Sequence, residues 1–510
     1  MKYFRGLISA VLAIVICASV SPPSFALESE CACGFSPVIY VGPLGCADIV
    51  RDAGKDSEQR LWKTDTPFLL KNFGKVSGTL LKGLSTGDYD SVADAVVEFV
   101  NLSFGDLALD SEGKSRENVT VPELNIPSSS EHGPEISFYF DYDFRLDPFI
   151  HAQRLNECIQ QIKELTGHPK VQLKASSMGG VVLSAYLETY GYSDVETVIC
   201  QCCPLWGTAV AGELFCGKFE LNAESLRRYA QTAIPSLDGG DVAQSLLYTL
   251  TDVFRITGIW KLLVGMGNKL ADRIIDRVFS DALIPIFGTM PGIWSFVPQE
   301  YYTEALDFMG IDRSSELFNR ISHYRTAQTN IAGNLLEARE AGVKTYIFCG
   351  YNIQRTPLVT AWKNTSDGTV DTKYASLGAT CADLGETLAE TYIDSLSDKK
   401  YLSPDRMIDA STCALADCTW FNRDWLHCNG QPAIDEFYRR LLTSDEQLTV
   451  FSMEEYPQFL QNDKNAGTLT PVTGEYSYRD LFREHHSLLN LVRLIGSFIF
   501  KSRSVGLFNA

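Results

Sequence analysis

Six residues constrain this chain more than any others: Ala175-Ser176-Ser177-Met178-Gly179-Gly180. Val171 to Ala175 reads as a short strand, and helical spacing follows the glycines to about Tyr190. A serine at such a strand–helix junction sits in a turn so tight that only small residues fit two before and two after it. Gly179 meets the second requirement, and Ala175 stands at the first for the cost of one methyl of clearance. The turn presents the Ser177 hydroxyl at a helix N-terminus and directs the Met178 N–H to where an oxyanion would develop. The same residues could also form an ordinary turn with a capping serine, so the surrounding pattern has to decide.

That pattern alternates. Pro37 to Val41 reads as a strand, followed by the turn Gly42-Pro43-Leu44-Gly45. Ile136 to Phe140 is a strand, Asp147-Pro148 a turn, and Ala152 to Thr166 a helix with Leu155, Cys158, Ile159 and Ile162 on one face. Val195 to Cys200 is the next strand, Val343 to Gly350 another, and Thr419 to Asn422 a later one before a helix from Ala433 to Leu442. Strands alternating with helices at this spacing predict βαβ units and a parallel sheet. The expected fold is an α/β-hydrolase, with a mostly parallel sheet and helices on both faces. Helix-rich stretches that break the alternation, about 47–130 and 208–322, are expected to be insertions, the second forming a cap. The hydrolase domain is expected over 27–447, with a C-terminal extension over 448–510 that carries a helix.

An activated serine needs a base, and the base needs an orienting carboxylate. In this fold they follow the serine in the order acid, then histidine. The acid belongs in the loop after the strand ending near Gly350. Asp367, in Ser366-Asp367-Gly368-Thr369-Val370, is the candidate, with Asp371 in reserve. Of seven histidines, His427, His485 and His486 follow it. His427 is preferred because it lies in a loop between a strand and a helix, whereas His485 and His486 read as the start of a helix.

Composition narrows the surroundings. A net charge of −19 with no Lys/Arg cluster excludes a nucleic-acid partner. Lys2 and Arg5, the apolar run Leu7 to Val20 and Ser24-Phe25-Ala26 read as a secretory signal over 1–26, the alternative being a retained anchor. Of 14 cysteines, Cys17 would leave with that signal, so at least one of the rest is unpaired or intermolecular. Cys31-Ala32-Cys33 and Cys200-Gln201-Cys202-Cys203 have no histidine beside them at ligand spacing, so neither a metal nor another cofactor is expected. Sequons stand at Asn101, Asn118 and Asn364.

Several of these segments, in order, resemble the lecithin:cholesterol acyltransferase family and its related phospholipases. Pro37 to Gly45 is similar to that family's first strand and oxyanion loop. Tyr142-Asp143-Phe144-Arg145-Leu146-Asp147-Pro148 matches its most specific signature. Ser177 falls on its nucleophile, Pro204-Leu205-Trp206-Gly207-Thr208 on its proline–tryptophan–glycine segment, and Asp367-Gly368-Thr369-Val370 on its acid loop. The loop after the first strand reads Gly-Pro where the family has Pro-Gly, so the second oxyanion donor is either Leu44 or Gly45. The resemblance implies acyl-ester chemistry on a lipid, with a lipid–water interface as partner, by hydrolysis or by transfer to an alcohol. Two other readings remain: a catalytically silent binding protein, and an esterase or thioesterase for non-lipid substrates. Ile256 to Val264, Leu283 to Phe287 and Ile293 to Phe296 are the apolar stretches expected either to face lipid or to form the core of the cap.

Overall fold

A computed structural model describes residues 31, 33–63, 66–121, 129–233, 250–251, 254–428, 430, 432–463 and 468–474. The expected signal segment, His485, His486 and the C-terminal helix lie outside the described residues.

In chain order the strands are β1 (Val38–Val41), β2 (Val50–Arg51), β3 (Gln59–Arg60), β4 (Val119–Thr120), β5 (Ser137–Phe140), β6 (Val171–Ser176) and β7 (Val195–Gln201). They continue with β8 (Lys344–Tyr351), β9 (Thr380–Cys381), β10 (Ile408–Asp409), β11 (Thr419–Arg423), β12 (Phe459–Asp463) and β13 (Thr468–Pro471). Eight of them form one sheet in the order β13-β12-β11-β8-β7-β6-β1-β5. Every neighbouring pair is parallel except β12 with β13. The chain therefore folds as α/β around a mostly parallel sheet.

Parallel neighbours need crossovers, and helices supply them. Helix Pro148–Thr166 joins β5 to β6, and helix Gly179–Tyr190 joins β6 to β7. Helix Glu316–Glu340 leads into β8. All eight residues of β8 are buried, so the sheet is covered on both faces at its centre. Helix Pro432–Thr443 covers part of it by setting Phe437 against Phe348 and Trp420.

Two boundaries differ from those read in the sequence. Asp147-Pro148 is not a turn ahead of a helix at Ala152. Asp147 is the N-cap, accepting from Phe149 N–H, and Pro148 occupies the first turn, where its missing N–H costs nothing. The sheet also does not end before residue 448, because β12 pairs with β11 and β13 with β12. The described residues from 448 to Pro471 thus belong to the sheet domain. The five-residue β12 is half polar and lacks the apolar run that marks a central strand.

The described residues of 47–130 include a small antiparallel sheet, β3-β2-β4, and two long helices, Thr66–Thr86 and Tyr89–Phe104. Within 208–322 every described regular element is a helix. Val92 and Ala93 of the first insertion pack with Ile274 and Val278 of helix Ile259–Val278 in the second.

Candidate active site

The site lies where the central strands end. Ser177 directly follows β6 with φ at +50°, a left-handed conformation that a non-glycine residue holds only under constraint. Its N–H donates to Gln201 O and its carbonyl accepts from Gly180 N–H, both at 2.9 Å. The glycine requirement is literal. A Cβ on Gly179 would lie 2.2 Å from Val41 O, and one on Gly180 would lie 2.4 Å from Cys203 Cβ. Ala175, paired with Val41 on one side and Cys200 on the other, is fully buried without displacing either strand.

Asp367 sits in the loop after β8. Its Oδ1 accepts from Thr369 N–H at 2.9 Å and Val370 N–H at 2.7 Å, which fixes the carboxylate. Gly350 makes room for this loop, since a Cβ there would stand 2.5 Å from Trp425 O and 2.6 Å from Asp367 Cβ. His427 follows β11, and its backbone N–H donates to Asp367 O at 2.9 Å. The His427 ring bridges the other two groups: Nδ1 is 2.7 Å from Asp367 Oδ2, and Nε2 is 2.8 Å from Ser177 Oγ. The three residues preferred from the sequence are thus in mutual contact.

Burial pushes the His427 imidazole down, but the Asp367 carboxylate and its hydrogen bond, with Cys428 beside the ring, outweigh it and raise the pKa. The Cys428 thiol is held below its ordinary value by a hydrogen bond with Cys202 and by His427, against burial. Neither cysteine stood out in the sequence as belonging to the site, although Cys428 adjoins His427 and Cys202 follows β7.

The reserve acid Asp371 does different work, which corrects its candidacy. It is fully buried and forms an ion pair with Arg355 at 3.0 Å. It also accepts from Ala209 N–H at 2.8 Å, from Thr208 Oγ1 at 3.2 Å and from Asn364 Nδ2 at 2.6 Å. It fastens the first helix of the second insertion to the loop that carries Asp367, and has no bond to His427.

Among the described residues, the N–H groups of Met178, Leu44 and Gly45 meet no acceptor. The loop bearing the latter two is fixed from below, as the buried Tyr142 hydroxyl donates to Gly42 O at 2.8 Å. The rest of the signature segment is structural. Asp143 and Arg145 form a buried two-pronged pair at 2.9 and 2.6 Å, and Arg145 also donates to Leu107 O and Ser115 Oγ in the first insertion. Arg145 O in turn accepts from Gly292 N–H in the second insertion.

Beside the acid loop lies a cavity of about 560 Å³, lined by Phe215, Phe279, Phe287 and Phe296 of the second insertion and by Gly368 and Thr369. The two groups of apolar stretches in this insertion separate sharply. Ile286 and Trp294 are each 2% exposed, whereas Ile256 is 80%, Leu262 63% and Met266 62% exposed. Ile286 and Trp294 are therefore core, Leu283, Ile284, Phe287, Ile293 and Phe296 are half-buried, and it is between Ile256 and Met266 that apolar side chains turn outward most.

Although no histidine stands beside Cys31 and Cys33 in the sequence, the fold brings His132 and His168 next to them from about a hundred residues away. All thirteen described cysteines are free.

No protein-family model matches the chain, and no curated protein matches it. Among solved structures, a chain of the crystal structure of the Tle4-Tli4 complex aligns with a TM-score of 0.26 at 12% identity, covering 62% of this chain and 74% of that one. Likeness of that degree assigns neither a family nor an activity.

Proposed function

We propose that the protein is a serine ester hydrolase or O-acyltransferase of the α/β-hydrolase type, acting on an acyl ester of a lipid. The observation that carries this reading is the His427 ring held between Ser177 Oγ and Asp367 Oδ2 at 2.8 and 2.7 Å. The strand order supports the fold assignment, since the serine, acid and histidine follow the carboxyl ends of β6, β8 and β11, parallel strands of one sheet with only β7 between the first two, in the chain order that fold uses. The similarity of 142–148, 204–208 and 367–370 to the lecithin:cholesterol acyltransferase family belongs to the same proposal.

The chemistry follows from the geometry. His427 Nε2 takes the Ser177 proton as Oγ attacks the ester carbonyl. Asp367 holds the Nδ1–H and stabilises the imidazolium, which is why the ring's affinity for a proton is raised. The oxyanion is met by Met178 N–H and by the N–H of Leu44 or Gly45. His427 then returns the proton to the departing alcohol, leaving an acyl group on Ser177. Water or a second alcohol, deprotonated by the same ring, releases it.

Lipid as substrate is supported by the apolar cavity beside the acid loop, which is of ligand-pocket size, and by the exposed apolar residues Ile256, Leu262 and Met266. These are suited to peripheral contact with a lipid–water interface. Export through a signal at 1–26 completes the proposal, and N-terminal sequencing of protein from the medium tests it. The decisive experiment for the activity is labelling with a fluorophosphonate probe. Modification of Ser177 in the wild type, lost in His427→Ala, is the expected result. An unlabelled wild type would leave a silent binding protein.

A further inference from the structure

We infer that Cys31, Cys33, His132 and His168 form a zinc site that ties the start of the chain to the sheet. The four candidate ligand atoms lie within 4.8 Å of one another. Cys33 Sγ is 3.2 Å from Nε2 of both histidines, and the two Nε2 atoms are 2.9 Å apart. Around tetrahedral zinc, with bonds of about 2.0 to 2.3 Å, ligand atoms stand about 3.3 to 3.8 Å from each other. These three separations are a few tenths of an ångström shorter than that range, a gap that a slight outward shift of the side chains around the ion closes.

The surroundings prepare the ligands. His132 Nδ1–H donates to Ser130 O at 2.7 Å, which leaves the Nε2 lone pair facing His168 and Cys33. His168 follows Gly167, the left-handed C-cap of helix Pro148–Thr166. Cys31 N–H donates to Gly167 O at 3.2 Å, drawing the cysteine pair onto the same corner. Two thiolates and two neutral imidazoles make a four-coordinate set that balances the charge of Zn²⁺ and has no open position, as structural sites do.

The site's place in the fold fits a structural role. Its residues precede β1, β5 and β6, at the amino ends of the strands. Ser177 lies at the other end of β6, about 20 Å away at about 3.3 Å per residue. The proposal is thus independent of the activity assigned to Ser177.

The test is zinc content in full-length protein purified without chelator. One zinc per chain is expected in the wild type, in Ser177→Ala and in Cys428→Ser, the last excluding the smaller Cys202, His427, Cys428 group as the holder. Cys33→Ser and His132→Ala should lose it. In native wild type, a zinc chelator should expose two additional thiols to Ellman's reagent, a measurement that needs no variant to fold. Cobalt exchanged for zinc should give tetrahedral bands with thiolate charge transfer. A wild type that takes up no zinc on dialysis against it, equal zinc in Cys33→Ser and His132→Ala, or a Cys31–Cys33 disulfide in place of the two thiols would each overturn the proposal.

Discussion

The two ends of the central sheet are built differently. At the carboxyl ends of β6, β7, β8 and β11 the chain leaves through Ser177, Cys202, Asn352 and Asp424, non-glycine residues with φ between +50° and +65°. At the amino ends of β6, β7 and β8 it enters through Gly167, Gly191 and Gly342, which hold positive φ without penalty. Left-handed side chains cost about 1 to 3 kcal/mol each and persist only where the surroundings insist on them. Here they collect at the end that carries Ser177 and His427. One end of the sheet is made for aiming side chains, the other for turning the chain cheaply.

Removing the serine should have the largest effect. Ser177→Gly is expected to abolish ester hydrolysis by several orders of magnitude and at the same time raise stability by about 1 kcal/mol, by relieving the φ of +50°. At the other end Gly167→Ala should lower stability by about 1 kcal/mol and leave turnover unchanged. Denaturant titration and ester turnover on both variants measure this, and a less stable Ser177→Gly would break the contrast.

Next comes the histidine. His427→Ala should lose rate on the same scale, and Asp367→Asn about 10⁴-fold through the wrong ring tautomer. His485→Ala and His486→Ala should retain the rate. A large loss in either would move the base to the C-terminal segment.

A smaller effect concerns pH. Because the His427 pKa is raised, the acid limb of kcat/KM should lie above the ordinary imidazole range of about 6.5. Cys428 contributes to that rise, so Cys428→Ser should move the limb to lower pH. A limb that stays put, or moves up, would mean the cysteine leaves the base untouched.

The smallest effect lies outside both ends. Replacing Ile256, Leu262 and Met266 with Ser should cut turnover on dispersed lipid several-fold and spare a soluble short-chain ester. Equal loss on both would show that these side chains serve the fold instead.

How far the sequence reveals this depends on distance along the chain. The turn around Ser177 was legible because a collision rule acts within five residues, and the strands were legible from their apolar runs. Chain order narrowed the acid and the base to a few residues, the Asp-Gly turn after β8 then favoured Asp367, and the loop between a strand and a helix favoured His427 over His485 and His486. Asp371, ranked second, could not be given its actual role from sequence, because two aspartates four apart differ in which way each faces, and Arg355 and Asn364 hold Asp371 away from the ring. Strand β12 was hidden by its polar half. The Cys31, Cys33, His132, His168 group was invisible because three separate segments meet only once β1, β5 and β6 lie side by side. Which apolar stretch faced outward was equally closed to sequence, since Trp294 and Leu262 differ in neighbours rather than in pattern.

The bonds from Asp371 to Thr208 and Ala209 set a rule for grafting. An insertion fastened only at its sequence edges could be exchanged for a foreign one by matching the ends. This one is rooted through a third residue, more than 160 positions downstream and four from Asp367. A chimera that keeps Asp371 but imports a helix start unable to donate to it would leave a buried carboxylate facing Arg355 with two fewer donors. The damage would reach the neighbouring acid loop before any substrate arrived. A swap that respects this root has to carry Thr208, Ala209, Arg355 and Asp371 together as one cassette.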